Sequence, residues 1–128
     1  MSMTTSNRSR WRPPMFWAAA ILVMTSWPSP GGIPDVTGID KVAHFGAYAV
    51  LGLLVARALL PVRQLSVLGV AFIGIAVFAA LDELHQNWIP GRDASIADWV
   101  ADISGAIAGL AVATTLLRLT LARQDQPS

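Results

Sequence analysis

The sequence predicts an all-α integral membrane bundle of four transmembrane helices, and three observations carry that prediction. Of 128 residues, 54% are apolar and 13% charged, against roughly 25% charge in an average soluble domain. Apolar stretches close to the length that crosses a hydrocarbon core, about 20 residues at 1.5 Å each, recur four times. Basic residues gather at one set of helix ends and acidic residues at the other. The length fits a single domain spanning residues 1–128.

The first segment, Met15 to Trp27, is short and follows Arg8, Arg10 and Arg12. It reads as a retained anchor rather than a signal peptide, because Thr25-Ser26-Trp27-Pro28 lacks the small-residue cleavage pattern. Pro13 and Pro14 fit the start of its helix, where a missing N–H costs little. Trp11, Trp17 and Trp27 suit the two interfaces. The second, Val42 to Leu60, carries His44 near its start and Arg57 near its end, both within snorkelling reach of an interface. Leu65 to Leu81 is uncharged and broken only by Ser66, Gly69 and Gly74. The last, Ile96 to about Leu119, holds Asp98 and Asp102 in its first two turns. A basic tail (1–12) and a C-terminal tail (120–128) are expected to fray.

Charge sets the direction. Arg8, Arg10, Arg12, Arg57, Arg63, Arg118 and Arg123 fall on one side, and Lys41 and Arg92 on the other. Asp35, Asp40, Asp82, Glu83, Asp93, Asp98 and Asp102 sort opposite the arginines, leaving Asp125 with them. The positive-inside rule puts the arginine-rich side and both termini in the cytoplasm. Pro61 to Gln64 is then a tight inner turn, and Pro28 to Ile39 and Asn87 to Ala94 are outer loops.

Near-zero net charge, +1, excludes the basic footprint of a nucleic-acid binder. Without cysteine there is no disulfide, thiolate nucleophile or Cys-ligated metal. Walker, Rossmann and G-x-S-x-G patterns are missing, as is any visible covalent nucleophile. No cofactor is expected.

The polar residues that topology leaves over share one depth: Asp40, Lys41 and His44; Asp82, Glu83, His85 and Gln86; Arg92, Asp93, Asp98 and Asp102. Helical spacing aligns Asp40, His44 and Tyr48 on one face, and Asp98, Asp102, Gly105 and Gly109 on another. The second stripe runs two carboxylates into a G-x-x-x-G surface made for close helix contact. Asp102 lies roughly 9 Å and His44 about 6 Å below their helix starts. A charge at a helix centre costs about 2.5–3.5 kcal/mol on insertion scales, so these side chains must pair or line a wet cavity. The expectation is an outward-open polar pocket between helices two, three and four, floored by Tyr48 and Gly105.

Two helix N-termini at this end favour anions. Asp82 and Glu83 at a helix C-terminus oppose the dipole, unless Lys41 or Arg92 neutralises them. Plainer roles stand beside the functional ones. Asp40 reads equally as a helix N-cap, and Ser95 with Asp98 as a capping box. Pro90-Gly91 reads as a type II turn that aims Arg92. That guanidinium suits an outer salt bridge or bidentate capture of phosphate or carboxylate. His44 is either a satisfied histidine bonded to Asp40 or Glu83, or a proton carrier. His85 reads as surface, Trp88 and Trp99 as belt residues, and Arg57 and Arg63 as inner anchors. His44, Glu83, Asp98 and Asp102 are suitable metal ligands, yet no ligand motif is present and Lys41 and Arg92 repel cations, so no metal is predicted.

Asp40-Lys41-Val42-Ala43-His44-Phe45, then Tyr48, Leu51-Gly52, Glu83-Leu84-His85-Gln86, Pro90-Gly91-Arg92, Asp98, Gly105 and Gly109 together resemble the VanZ-like membrane proteins from about Asp40 to Leu117. The resemblance implies a small bacterial inner-membrane protein, the family's namesake being associated with low-level resistance to the glycopeptide teicoplanin. It implies no known reaction. Members often carry asparagine where this chain has Asp102, which adds an ionisable group to the pocket.

Three functions follow as expectations. In the first, Asp40, Lys41, His44, Glu83, Gln86, Arg92, Asp98 and Asp102 line a site for an anionic or zwitterionic envelope molecule: a lipid headgroup, cell-wall precursor or glycopeptide. Lys41 and Arg92 hold the anion while Glu83, Gln86, Asp98 and Asp102 orient the cations or bind the polar part. In the second, a membrane-surface enzyme uses His44 or Glu83 as general acid or base. In the third, a structural subunit meets a partner protein or its own copy through Gly69 and Gly74 or Gly105 and Gly109.

Overall fold

A computed structural model describes residues 3–28, 38–59 and 64–124, with side chains from residue 8 onward. Four helices fill it in the order α1 (Met3–Thr25), α2 (Ile39–Leu59), α3 (Leu65–Gln86) and α4 (Ile96–Gln124), and no strand occurs among the described residues. Asp35, Arg63, Asp125, the turn at Pro61 and most of the Pro28 to Ile39 loop lie outside them.

Successive helices alternate in direction. The C-terminal ends of α1 and α3 meet at Thr25 and Asp82, whose Oγ1 and Oδ1 are 2.6 Å apart. The N-terminal ends of α2 and α4 meet at Lys41 and Asp98, 2.9 Å apart. One end of the bundle thus gathers the acids, and the other carries exposed Arg57, Arg118 and Arg123.

The tightest seam joins α2 to α4, and glycine makes it possible. A Cβ on Gly105 or Gly109 would run into the carbonyl oxygens of Phe45 and Ala49, and one on Gly52 would lie 2.5 Å from the Ala106 oxygen. The predicted G-x-x-x-G contact is therefore internal, with backbone against backbone. The core beside it comprises Ile21, Tyr48, Leu51, Val55, Ile75, Ala79 and Ala106.

Outside this core the molecule is apolar. Phe16, Val23, Val70, Ile73, Val77, Leu81, Val112 and Leu116 are exposed, an arrangement that matches hydrocarbon rather than water. Helices α2, α3 and α4 are long and apolar enough to cross a membrane. The short first segment does not join them on that measure: α1 reaches its 23 residues by adding a polar N-terminal half.

That extension corrects two expectations. Pro13 and Pro14 lie inside α1, not at its start. Their missing N–H groups remove two helical hydrogen bonds in a stretch where Ser9 and Arg10 are exposed and the helix is polar enough for water to approach the backbone. The described residues of both tails are also helical, since α1 begins at Met3 and α4 runs to Gln124. At the other end of α3 the helix continues past Leu81 to Gln86. Asp82, Glu83 and Gln86 prolong the buried stripe of Ile75 and Ala79, so the charges that end an apolar window do not end the helix.

Trp99 departs from its belt assignment. Its indole Nε1 donates to the Ala76 carbonyl at 3.1 Å, and that of Trp17 donates to Ala47 at 2.8 Å. Both rings wedge between helices, whereas Trp27 and Trp88 stay exposed.

Candidate functional site

The acidic end contains four buried acidic residues, each at most 7% exposed: Asp82, Glu83, Asp98 and Asp102. Each needs donors because burial strips away water, and each is supplied differently.

Asp98 takes Lys41 from α2 at 2.9 Å. Its backbone N–H receives a cap from Ser95 Oγ at 3.3 Å, so half of the predicted capping box is present. The reciprocal half is replaced: the Ser95 N–H donates to Glu83 Oε2 at 3.0 Å, leaving Asp98 for the lysine. Asp40 does not cap α2, which begins one residue earlier, at Ile39. It stands in the first turn with an oxygen 3.9 Å from His44 Nε2.

Asp82 receives the Thr25 hydroxyl on Oδ1 and the Tyr48 hydroxyl, at 3.2 Å, on Oδ2. Neither Lys41 nor Arg92 neutralises it. Sequence reasoning left Asp82 out of the ligand-binding set and missed Thr25 altogether. The available signal was spacing: Asp82 lies three residues beyond Ala79 and seven beyond Ile75, on the buried face.

His44 stands between the last two carboxylates. Its Nδ1 is 2.9 Å from Asp102 Oδ1 and 3.7 Å from Glu83 Oε1, so the partner expected to be Asp40 or Glu83 is chiefly Asp102. Gln86 Nε2 donates to Glu83 Oε1 at 3.2 Å, as their shared face predicts. The second Asp102 oxygen, Oδ2, is buried with no hydrogen-bond partner. Donor atoms of His44, Glu83 and Asp102 lie within 4.8 Å of one another, and so do those of Asp40, His44 and Asp98.

Arg92 follows a turn of the predicted type. Gly91 has φ 77° and the Arg92 N–H donates to the Ile89 carbonyl at 3.1 Å, which is a type II turn with Pro90 and Gly91 in its central positions. The guanidinium reaches back to α1 and its extension, donating from Nε to the Trp27 carbonyl at 2.9 Å and from Nη2 towards Met24 at 3.5 Å. It is not in a salt bridge among the described residues.

The space beside these groups differs from the expected pocket. A cavity of about 150 Å³ lies between α1, α2 and Arg92, lined by Thr25, Asp40, His44, Ala47, Tyr48 and Arg92. Gly105 cannot floor it, because the glycine seam closes α2 onto α4. A second, mostly apolar cavity of about 320 Å³ separates α3 from α4 and reaches Glu83, Ser95 and Trp99. His85 lies outside both, half-buried, with its ring edge-on to Trp88 at 6.4 Å.

No curated protein and no solved structure matches the chain. The VanZ/LLP1 family profile matches residues 2–118, taking in α1 as well as the three helices that carry the quoted motifs. With its membrane-compatible helices and a match over most of its length, the chain belongs to the VanZ-like family of membrane proteins.

Proposed function

We propose that this VanZ-like protein crosses the bacterial inner membrane four times, with both ends of the chain in the cytoplasm, and that its extracytoplasmic end binds an anionic or zwitterionic envelope molecule. The candidates are a lipid headgroup, a cell-wall precursor or a glycopeptide, the last linking the protein to glycopeptide tolerance. The exposed arginines at one end of the bundle support the orientation.

The single observation that carries the binding reading is Arg92 over the α1–α2 cavity. A guanidinium has five N–H donors in a planar fork, of which two face the Trp27 and Met24 carbonyls. The remainder match a phosphate or carboxylate. Thr25, Tyr48 and His44 add polar atoms beneath it, and about 150 Å³ admits a headgroup fragment rather than a whole glycopeptide. Lys41 serves Asp98, which leaves anion capture mainly to Arg92. Extraction in native nanodiscs and mass spectrometry of the retained lipids tests this. An anionic species that remains with the wild type is lost from Arg92→Gln at unchanged folded yield; identical profiles overturn the reading.

A second reading is favoured by the His44–Asp102 pair at 2.9 Å. A carboxylate on one imidazole nitrogen orients the other for proton transfer, and His44 also lines the cavity. As an enzyme the protein would use His44 as general base and Arg92 against developing charge. New headgroup or precursor species on expression, abolished by His44→Gln, distinguish turnover from binding.

A further inference from the structure

We infer that His44, Glu83 and Asp102 form a binding site for one divalent first-row cation of the Zn²⁺ or Mn²⁺ type. This goes beyond the anion reading and reverses the expectation of no metal.

The carboxylates at this end are unequally supplied with donors. Asp98 has Lys41, and Asp82 has two hydroxyls. Glu83 has a donor on each oxygen, from Gln86 and Ser95, but Asp102 has only His44 Nδ1, at 2.9 Å, and the Glu83 Oε1 oxygen lies 3.7 Å from the same nitrogen. One N–H cannot serve two carboxylates, whereas a cation at that point meets both. An independent observation is Asp102 Oδ2, an atom of a fully buried side chain that has no partner. Such an orphan costs about 1–3 kcal/mol, more when charged, and a bound cation removes that cost.

The geometry fits. Ligand atoms about 2.1 Å from one ion lie about 3.0 Å apart in an octahedral site and about 3.4 Å in a tetrahedral one. The two distances from Nδ1 bracket those values. Metal-bound carboxylates and histidines are normally held by outer hydrogen bonds. For Glu83 they come from Gln86 Nε2 and the Ser95 N–H; Asp40, 3.9 Å from His44 Nε2, is beyond hydrogen-bond distance but stands on the side where the ring carries its proton when Nδ1 coordinates. Lys41 and Arg92 do not oppose the ion as the sequence suggested: one is drawn to Asp98 and the other to carbonyls at the end of α1. Entry is available, since His44 lines the α1–α2 cavity and Glu83 the α3–α4 cavity. One nitrogen and two carboxylates favour a borderline or hard cation over Cu⁺.

The test uses the full chain in detergent micelles, stripped with EDTA and titrated calorimetrically with ZnCl₂ and with MnCl₂. The expected result is one saturable equivalent in the wild type. Glu83→Gln and Asp102→Asn each weaken it about tenfold or more, whereas Asp98→Asn and Arg92→Gln leave it unchanged. The Arg92 variant separates this site from the anion site, which fails independently. Circular dichroism and size-exclusion profiles verify that variants are folded. If the Asp102 variant is not, spin-echo spectroscopy of Mn²⁺-loaded wild type decides instead, the expected signal being one coordinated imidazole nitrogen that His44→Gln removes. Absence of saturable binding in folded wild type overturns the inference, as does a Mn²⁺ spectrum without imidazole nitrogen or equal affinity in folded Glu83→Gln and Asp102→Asn.

Discussion

His44 and Asp102 are 58 positions apart in the chain and 2.9 Å apart in the fold. What brings them together lies beneath them: Gly105, three residues past Asp102, rests against the backbone of Phe45, the neighbour of His44. The polar pair is therefore set by a glycine contact, which links the packing of the membrane helices to the geometry of the site.

Gly105→Leu consequently disrupts fold and site together. A side chain there meets main-chain atoms that cannot move aside, and overpacking of this kind costs at least about 1–3 kcal/mol. The expected outcome is a large loss of monodisperse protein after detergent extraction. Gly74→Leu projects into open space and stays within about 0.5 kcal/mol of wild type. With Gly105 and Gly109 committed internally, the α3 face bearing Gly69 and Gly74 is the one left for a partner or second copy, so a Gly74→Leu variant that changes oligomeric state would favour the structural-subunit reading.

Thr25 and Asp82 fasten α1 to α3 through a buried 2.6 Å hydrogen bond. Hydrogen bonds to charged groups contribute about 1.5–3 kcal/mol. Thermal unfolding of Thr25→Val, Asp82→Asn and the double variant should give a coupling energy of that order. Additive effects would mean that the contact does not hold α1 in place.

The glycine seam was legible because G-x-x-x-G is a local spacing on one helix, and the type II turn because Pro90-Gly91 specifies its own backbone. The position of the cavity was not. Inferring a pocket among α2, α3 and α4 used the depth of Asp102 and His44 but ignored the effect of Gly105 and Gly109, which leave no room between α2 and α4. The contribution of α1 was hidden for another reason. Trp17 and Thr25 act through single long-range hydrogen bonds, which leave no periodic trace, and the polar residues before Pro13 conceal a helix that continues through them.

Gly91 tests whether the turn exists to aim Arg92. Its φ of 77° disfavours any side chain, so Gly91→Ala costs about 1 kcal/mol and shifts the guanidinium away from the Trp27 carbonyl. The expected outcome is a small drop in thermal stability with a disproportionate loss of the anionic lipid retained in nanodiscs. Unchanged lipid retention would separate the turn from the binding function.

Orientation and span number can be read with single thiols, because the chain has no cysteine. Asp93, between α3 and α4, and Ser9, Arg118 and Arg123, toward the opposite end, are exposed. In intact cells a membrane-impermeant maleimide should label Asp93→Cys but reach Arg118→Cys or Arg123→Cys only after permeabilisation. Ser9→Cys decides the fourth span. Since α1 runs antiparallel to α2, its start lies at the same end of the bundle as the end of α4, so a crossing α1 protects Ser9→Cys in the same way as Arg118→Cys. Labelling of Ser9→Cys together with Asp93→Cys would leave three spans, and labelling of Arg118→Cys alone would invert the protein and put Arg92 and its cavity in the cytoplasm.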